Sequence, residues 1–532
     1  MAPKIWDPST VEGRDGSCGR RPSVSFRAGR LLVLVSAMAL VTGVAAACGG
    51  AEGEDTGGAG EASESLRVNI GAEPGSIDII AQGDGQATIW ASSVYEGLTG
   101  LEGDEAVPEL ATEWSLDGNT WVFTLREDAT FHNGEPVTAE DVVASFKRLN
   151  SEGSDNRGTQ ILTDTVVEAI DDSTVGISRP VVDPTIPRRA ALVAIAPAEL
   201  ADASNDALNT EMMGTGPYKF DGWDRTQNIR LSAYEGYWGE QPDIQEVVIT
   251  FNPEAAVRLS ALQAGEIDLA FGMPADLATS AEDFTTFPFA LSEVAQLRLN
   301  TLSGPLANQR LREAVSLAID RDLIIEELYG TFAQRTGGQP VASYVFGYDE
   351  GLEPLPYEPE QARQILEEED AVGTVITLVG SRGRWVADAE VGEAVAEMLT
   401  DVGFQVALEQ PPFSDWLEAW FGETEVQKDA VLVNHSSSLY DSSFTVGQLV
   451  VCEGATSVHC DPAVDAMELA ASAETDPEAR AEIYHELWAL NHEQLWLVPI
   501  AEAQSIAVAV PNLEWTPADT DFPRFQDMSF AD

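Results

Sequence analysis

One stretch near the front of the chain limits its folding choices more than any other. Val94 to Leu149 reads VYEGLTGLEGDEAVPELATEWSLDGNTWVFTLREDATFHNGEPVTAEDVVASFKRL. From Thr120 to Arg126 the side chains alternate, with Trp121, Phe123 and Leu125 on one face and Val122, Thr124 and Arg126 on the other. That period of two predicts a strand. The turn dipeptides Asp117-Gly118 and Asn133-Gly134 stand on either side of it. Thr138 is placed to cap a helix whose first turn carries Glu140 and Asp141, where acids suit the helix dipole. Val142, Val143, Phe146 and Leu149 then form one apolar helical face. Two strands, two tight turns and a helix are therefore expected, but they name no function.

The wording of this stretch does. EGLTGL, VPELATEW, F-x-LR and FHNGEPVTAEDV, in this order, resemble the signature region of the family 5 extracellular solute-binding proteins, the peptide- and nickel-type receptors of ABC importers. The resemblance extends over the chain after residue 65. Pro74 to Asp78 is similar to the family's G-S-L-D-P loop, with Ile79 where proline is usual. Gly214 to Tyr218 matches a GTGPY motif, and the run ending at Tyr237-Trp238 matches a YW-x-x-x-P pattern closed by Pro242. Arg258 to Asp268 resembles R-x-x-A-L-x-x-G-x-I-D, and the sequence REAVSLAIDRDLI resembles the start of the family's second lobe.

The resemblance implies an α/β, two-lobe periplasmic-binding-protein fold of type II, with a small extra subdomain in the first lobe. The expected layout is a first lobe of 66–95, 196–300 and 500–532. The subdomain is expected at 96–195 and the second lobe at 301–499. In the family the strand near 297–301 crosses between lobes, and the chain re-crosses near 495–500.

The first thirty residues are basic, with Lys4, Arg14, Arg20, Arg21, Arg27 and Arg30. An uncharged run from Leu31 to Ala47 follows, and then Cys48. A basic region, a short apolar core and small residues before a cut describe a signal peptide over 1–47. The run is short of the ~20 apolar residues of a spanning helix. A cysteine at the cut implies a lipoprotein with Cys48 lipidated, held on the outer face of the cytoplasmic membrane. Ala45 stands where such signals usually have leucine. Residues 48–65, glycine-rich and acidic, are expected to be a disordered tether.

The chain carries 89 acids against 29 bases, a net charge of −60. Removing the six bases and three acids before Cys48 leaves 86 against 23, net −63. Nucleic-acid binding needs clustered Lys and Arg on phosphates, so that partner is excluded. Electrostatic docking on anionic lipid is excluded on the same ground. Such an excess keeps a protein soluble and self-repelling, and the chain is expected to be monomeric. Five histidines fall in no catalytic motif, and neither GxGxxG, P-loop, GxSxG nor HExxH is present. No enzyme, cofactor or metal is therefore expected.

Further on, several elements can be read from local patterns. Pro253 is expected in the first turn of a helix ending at Gly265, followed by an apolar strand over 267–271. Asn308 or Gln309 should open a helix, and Asp320 cap another that stops at Gly330. Thr374 to Val379, a helix capped by Asp388 and closed by Gly403, and the alternation Phe404, Val406, Leu408 form a βαβ unit. Its strands should be parallel, with a right-handed crossover. A helix bearing Trp416, Leu417 and Trp420 then leads to a strand over 430–433. Ligands of open α/β sheets sit beyond the carboxyl ends of the strands. Two loops occupy that place, 380–387 (GSRGRWVA) and 434–443 (NHSSSLYDSS).

The candidate ligand-binding residues are Arg384, Trp385, His435, Ser437, Tyr440 and Asp441. Arg384-Trp385 resembles a G-R-Y motif of relatives. An arginine there suits a bidentate carboxylate contact and a tryptophan an apolar slot. Family peptide receptors anchor the ligand's amino group on an acid within D-x-x-D-P-x-x-F. Here Phe444 matches, Ser437 replaces the first acid, and Asp441 stands at the proline. Similar family members pair cysteines near Cys452 and Cys460, and an exported chain favours that bond. The other reading, a metal site with His459, has too few ligands. The implied function is capture of a small solute, short peptides first, between two lobes for delivery to an ABC permease. A sugar, opine or nickel complex, or a secreted hydrolase, is the alternative.

Overall fold

The structure is a computed structural model that describes residues 65–80, 85–150, 165–201, 211–382, 384–421, 428–518 and 523–531. The segments expected to be a signal peptide and a tether, with Cys48 between them, lie outside the described residues. Residues 60–532 form one compact unit. It is organised by two large sheets, and smaller sheets flank the first.

The first large sheet has seven strands in the order Thr285–Phe289, Ser505–Ala509, Leu269–Phe271, Ser65–Ile70, Glu246–Phe251, Asn228–Ala233 and Tyr218–Asp224. Ser65–Ile70 pairs in parallel with both neighbours, and the outer pairs are antiparallel. Alternation assigns its two faces. Leu269, Phe271, Ala507 and Ala509 enter one apolar core, while Ala270, Ile506 and Val508 enter another on the opposite face. The helix Ala255–Gln263 covers the second face. Its N-cap is Glu254, so Pro253 stands just outside it and not in its first turn. Gly265 follows the helix at φ 70°, a conformation glycine adopts without strain.

The opening stretch is built more richly than its pattern suggested. Thr99–Glu102 and Glu105–Pro108 form a small hairpin that was not expected as strands. Ala111–Asp117 and Thr120–Leu125 pair across Gly118-Asn119, and Thr174–Ser178 and Val166–Asp171 extend them to a four-stranded sheet. The helix is Ala139–Leu149 with Thr138 at the N-cap. The Asp141 carboxylate accepts from the Thr138 amide (2.8 Å) and hydroxyl (2.7 Å), so the cap carries its own acid. Phe123, Val175 and Ile177 join the same core as the seven-stranded sheet.

The second large sheet has the order Ala333–Gln334, Leu497–Ala503, Glu293–Leu299, Ala430–Ser436, Val375–Val379, Gln405–Glu409. The expected βαβ unit is present. Val375–Val379 runs parallel to both Gln405–Glu409 and Ala430–Ser436, with the helix Asp388–Val402 between. Ala387 (φ 54°) is that helix's N-cap, so Asp388 is its first residue and serves the preceding loop instead. Ala430 and Leu432 face one core and Val431 and Val433 another, and helices cover both faces. Asn308 and Asp320 do cap their helices, each accepting a backbone amide.

Among the described residues, the chain passes between the two large sheets twice. Thr285–Phe289 belongs to the first and Glu293–Leu299 to the second. Leu497–Ala503 belongs to the second and Ser505–Ala509 to the first. The passages from sheet to sheet therefore fall at 290–292 and at Gln504, where the expected lobe ends were 300 and 499. A strand's membership is set by its pairing partner, which spacing along the chain does not reveal.

Candidate functional site

Both passages lie on one edge of the six-stranded sheet. Glu293 pairs with Ser436, and Val294 with Glu502, in antiparallel registers. The amino end of one strand and the carboxyl ends of its two neighbours thus share that edge, and the Ser437 amide donates to Ser292 O (2.9 Å). The loop after Val379 leaves on the same side because its strand is parallel to Ala430–Ser436. The two candidate loops therefore face toward the first sheet. Asn434, His435 and Ser436 are strand residues, leaving 437–441 as the true loop.

The Asp388 carboxylate shapes the 380–387 loop. It accepts from Ser381 Oγ (2.6 Å) and from the amides of Arg384 (2.9 Å) and Trp385 (3.2 Å). Trp385 is half-buried, edge-on to Phe413 (5.8 Å between centroids) and Trp416 (5.3 Å). Trp416 stacks in turn on Trp420 at 5.3 Å. Arg384 is exposed, its guanidinium 5.5 Å from the Phe413 ring centroid, and makes no ion pair among the described residues.

The second loop is turned inward. His435 is buried, with Nε2 3.2 Å from Thr445 Oγ1 and its ring stacked on Phe444. Burial pushes its imidazole down to about 4, so it is neutral at pH 7. Ser437 is buried on the same hydroxyl, at 2.6 Å. Tyr440 is buried in a left-handed conformation, 6.2 Å from Tyr344.

Asp441 has no exposed surface. It accepts two bonds from Arg480, at 2.7 and 2.6 Å, and lies 3.2 Å from Arg188. It also caps the helix Ser442–Leu449 through the Ser443 amide (3.0 Å). Burial alone would raise its carboxyl, but Arg480 and Arg188 overcome that and hold it at about 2. Arg188 comes from the helix Ile186–Ala191, on the first-sheet side, and lies over Phe346 at 4.7 Å. Asp441 is thus an ionised carboxylate shared by guanidiniums from two parts of the fold. Sequence reasoning missed both arginines. The Arg188-Arg189 pair inside an otherwise apolar helix was the available signal.

The signature words of the opening stretch meet elsewhere. Both Glu96 oxygens accept from Trp238 Nε1, at 3.1 and 3.0 Å, and one accepts from Tyr237 (3.1 Å). Arg126 lies 3.1 Å over the Trp238 ring. Glu109 accepts from the Gly97 amide at 2.8 Å. Burial raises Glu96 to about 7, and raises Glu109 too. Both acids line a cavity of about 120 Å³ with Tyr95 and Arg524. His132 of FHNG accepts from the Gly214 amide (3.3 Å) and lies 3.0 Å from Gly216 O, so it clasps the GTGPY motif. EGL, PEL, LR and YW pack against one another, as do FHNG and GTGPY.

Cys452 and Cys460 sit at disulfide distance, Sγ to Sγ 2.05 Å. His459 stacks on Trp496, 4.1 Å between centroids. Among the described residues, no group of three or more His, Cys, Asp or Glu is placed to hold a metal ion.

A sequence profile of the bacterial extracellular solute-binding proteins, family 5 middle region, matches residues 105–457. The chain is 26% identical to di/tripeptide-binding protein 1 of Pseudomonas aeruginosa, over 78% of this chain and 84% of that protein. It is 30% identical to heme-binding protein A of Haemophilus influenzae, over 51% and 54% respectively. The solved periplasmic binding protein DppA of Helicobacter pylori, in complex with the peptide STSA, superposes with a TM-score of 0.74. That match has 21% identity and covers 88% of this chain and 99% of that one.

Proposed function

The chain belongs to the family 5 bacterial extracellular solute-binding proteins, and from that premise we propose that it is a two-lobe clamp for a small carboxylate-bearing solute. The relatives it matches are binding proteins and not enzymes. The observation that carries the reading is the shared edge. Two chain passages and two candidate loops lie together there, so rotation about 290–292 and Gln504 would open or close the loops against the first lobe. Two exposed arginines stand on the first of those loops: Arg382 pairs with Glu393 at 3.6 Å, while Arg384 makes no ion pair among the described residues, is backed by the Trp385–Phe413–Trp416 cluster, and supports a carboxylate partner.

Short peptides are the first ligand class. The peptide-binding relative and the peptide complex support them. A non-peptide carboxylate such as an opine is the second. It is favoured by a neutral Ser437 bonded to Thr445 and an Asp441 already paired with Arg480 and Arg188. Neither offers a ligand ammonium group a free acid. Calorimetry over a library of peptides and N-blocked acids, native protein against Arg384→Ala, tests both classes. A charge-assisted contact in a closed cleft should cost about 2–5 kcal/mol when removed. Unchanged affinity in the variant, or binding of neutral sugars alone, overturns the assignment.

We further propose that Cys48 carries lipid, that the protein works as a monomer on the outer face of the cytoplasmic membrane, and that it hands its solute to an ABC permease. None of the helices among the described residues is long and apolar enough to cross a membrane. Release of Cys48→Ala into the medium is the expected result; retention at the membrane would sink the lipid anchor.

A further inference from the structure

Four arginines gather where the first-lobe segment 179–189 meets the second-lobe helices Ser442–Leu449, Pro462–Ala473 and Pro477–Gln494. In a chain with 29 basic residues against 89 acids, that concentration is an exception. Arg179 and Arg189 share Asp183, at 2.5 and 3.3 Å. Arg480 and Arg188 share Asp441, with Asp104 a further acid 3.8 Å from Arg188. Between these groups lies a cavity of about 330 Å³, lined by Arg179, Asp183, Arg189, Ser443, Glu468 and Arg480 among others. That size falls in the range of small-molecule pockets, ~300–1,000 Å³.

We infer that this cavity is a second binding site, taking a small oxyanion of the carboxylate or phosphate type that bridges the two lobes. The walls are net positive. Arg179, Arg189 and Arg480 line the cavity with Arg188 behind them, against the ionised Asp183 and Asp441. Burial pushes Glu468 up to about 8, so it carries a proton at neutral pH. Its Oε1 accepts from Ser472 (2.8 Å), which leaves the proton on Oε2. Neither Oε2 nor the buried hydroxyl of Ser443 makes a well-aligned hydrogen bond among the described residues, although Tyr484 lies beside Glu468 and the Asp441 carboxylate beside Ser443. Buried polar atoms are normally satisfied, and an acceptor with several oxygens would satisfy both donors while balancing the arginines. Walls from both lobes make the site complete only in the closed arrangement, so an anion there favours closure. The site shares no residue with the Arg384 loop.

The test is calorimetry of the mature chain at pH 7 with succinate and with inorganic phosphate as probes. We expect one of them to bind, at least ten-fold more weakly in Arg179→Gln/Ser443→Ala. Ser443→Ala alone removes a hydroxyl that makes no well-aligned hydrogen bond and leaves the Ser443 amide on Asp441, so it should keep the fold and still weaken binding several-fold. Absence of binding of both probes to the native protein overturns the inference. So does unchanged affinity in the Ser443→Ala and double variants. Loss of binding in Arg384→Ala instead would put the anion at the loop edge and equally overturn it.

Discussion

Asp441 is the residue on which the two parts of the molecule meet. Its carboxyl is held near 2 in the folded protein, below the ordinary aspartate value of ~3.9. The folded-state value is depressed, so the stabilisation is fully present above about pH 4. It is lost as pH falls from there through about 2. Asp441→Asn leaves Arg480 and Arg188 facing a neutral amide and should cost about 3–5 kcal/mol at pH 7, read from urea unfolding. The gap between native and variant should narrow below pH 4. A gap that stays constant down to pH 2 would show that the carboxylate is not what the arginines stabilise. That Asp441 is an acid in a loop at the sheet edge is legible in the sequence. That it is already paired is not, because Arg188 stands 253 positions away. No local pattern carries such a contact.

Among the elements, the turn containing Gly214 shows how tightly the signature words fit. A Cβ added there would lie 2.0 Å from Val94 O, backbone that cannot step aside. Gly214→Ala should therefore lower stability by more than the 1–3 kcal/mol typical of overpacking, or prevent folding. A variant with native melting temperature would refute the close approach. The 452–460 loop gives a second prediction. A non-reduced digest should yield the Cys452 and Cys460 peptides linked, and two free thiols in the exported protein would contradict it. Helices with a polar cap were legible residue by residue, since Asn308 and Asp320 accept amides within three positions and Asp141 closes the cap at Thr138. Elements lacking such a cap shifted, as at Pro253 and Asp388. The 434–436 segment looked like a loop because its polar side chains hide a ladder with Glu293–Ala295.

For the whole molecule, the decisive quantity is the relative position of the lobes. Two short passages connect them, so the cost of rotation is set by cross-lobe contacts such as Arg188 with Asp441 and with Phe346. Small-angle scattering should give a smaller radius of gyration with saturating ligand than without. Arg188→Ala should enlarge the ligand-free value or leave it at the open limit. An identical radius with and without a confirmed tight ligand would rule out the clamp. The large acidic excess should repel copies of the chain at low salt, consistent with a monomer in that experiment.

The sequence by itself determined the family, the α/β class, the βαβ unit of the second lobe and the two loops at the strand ends. These follow from ordered local words, from periods of two and 3.6, and from the rule placing loops beyond parallel strands. Only the tertiary structure decided the lobe passages at 290–292 and Gln504, the inward turn of Ser437 and Asp441, and the arginine cluster between the lobes. The physical reason is range. A cap or a turn is settled by neighbours within a few residues. A strand's partner and a buried charge's counter-charge are settled by whichever distant segment can satisfy them once the core has formed.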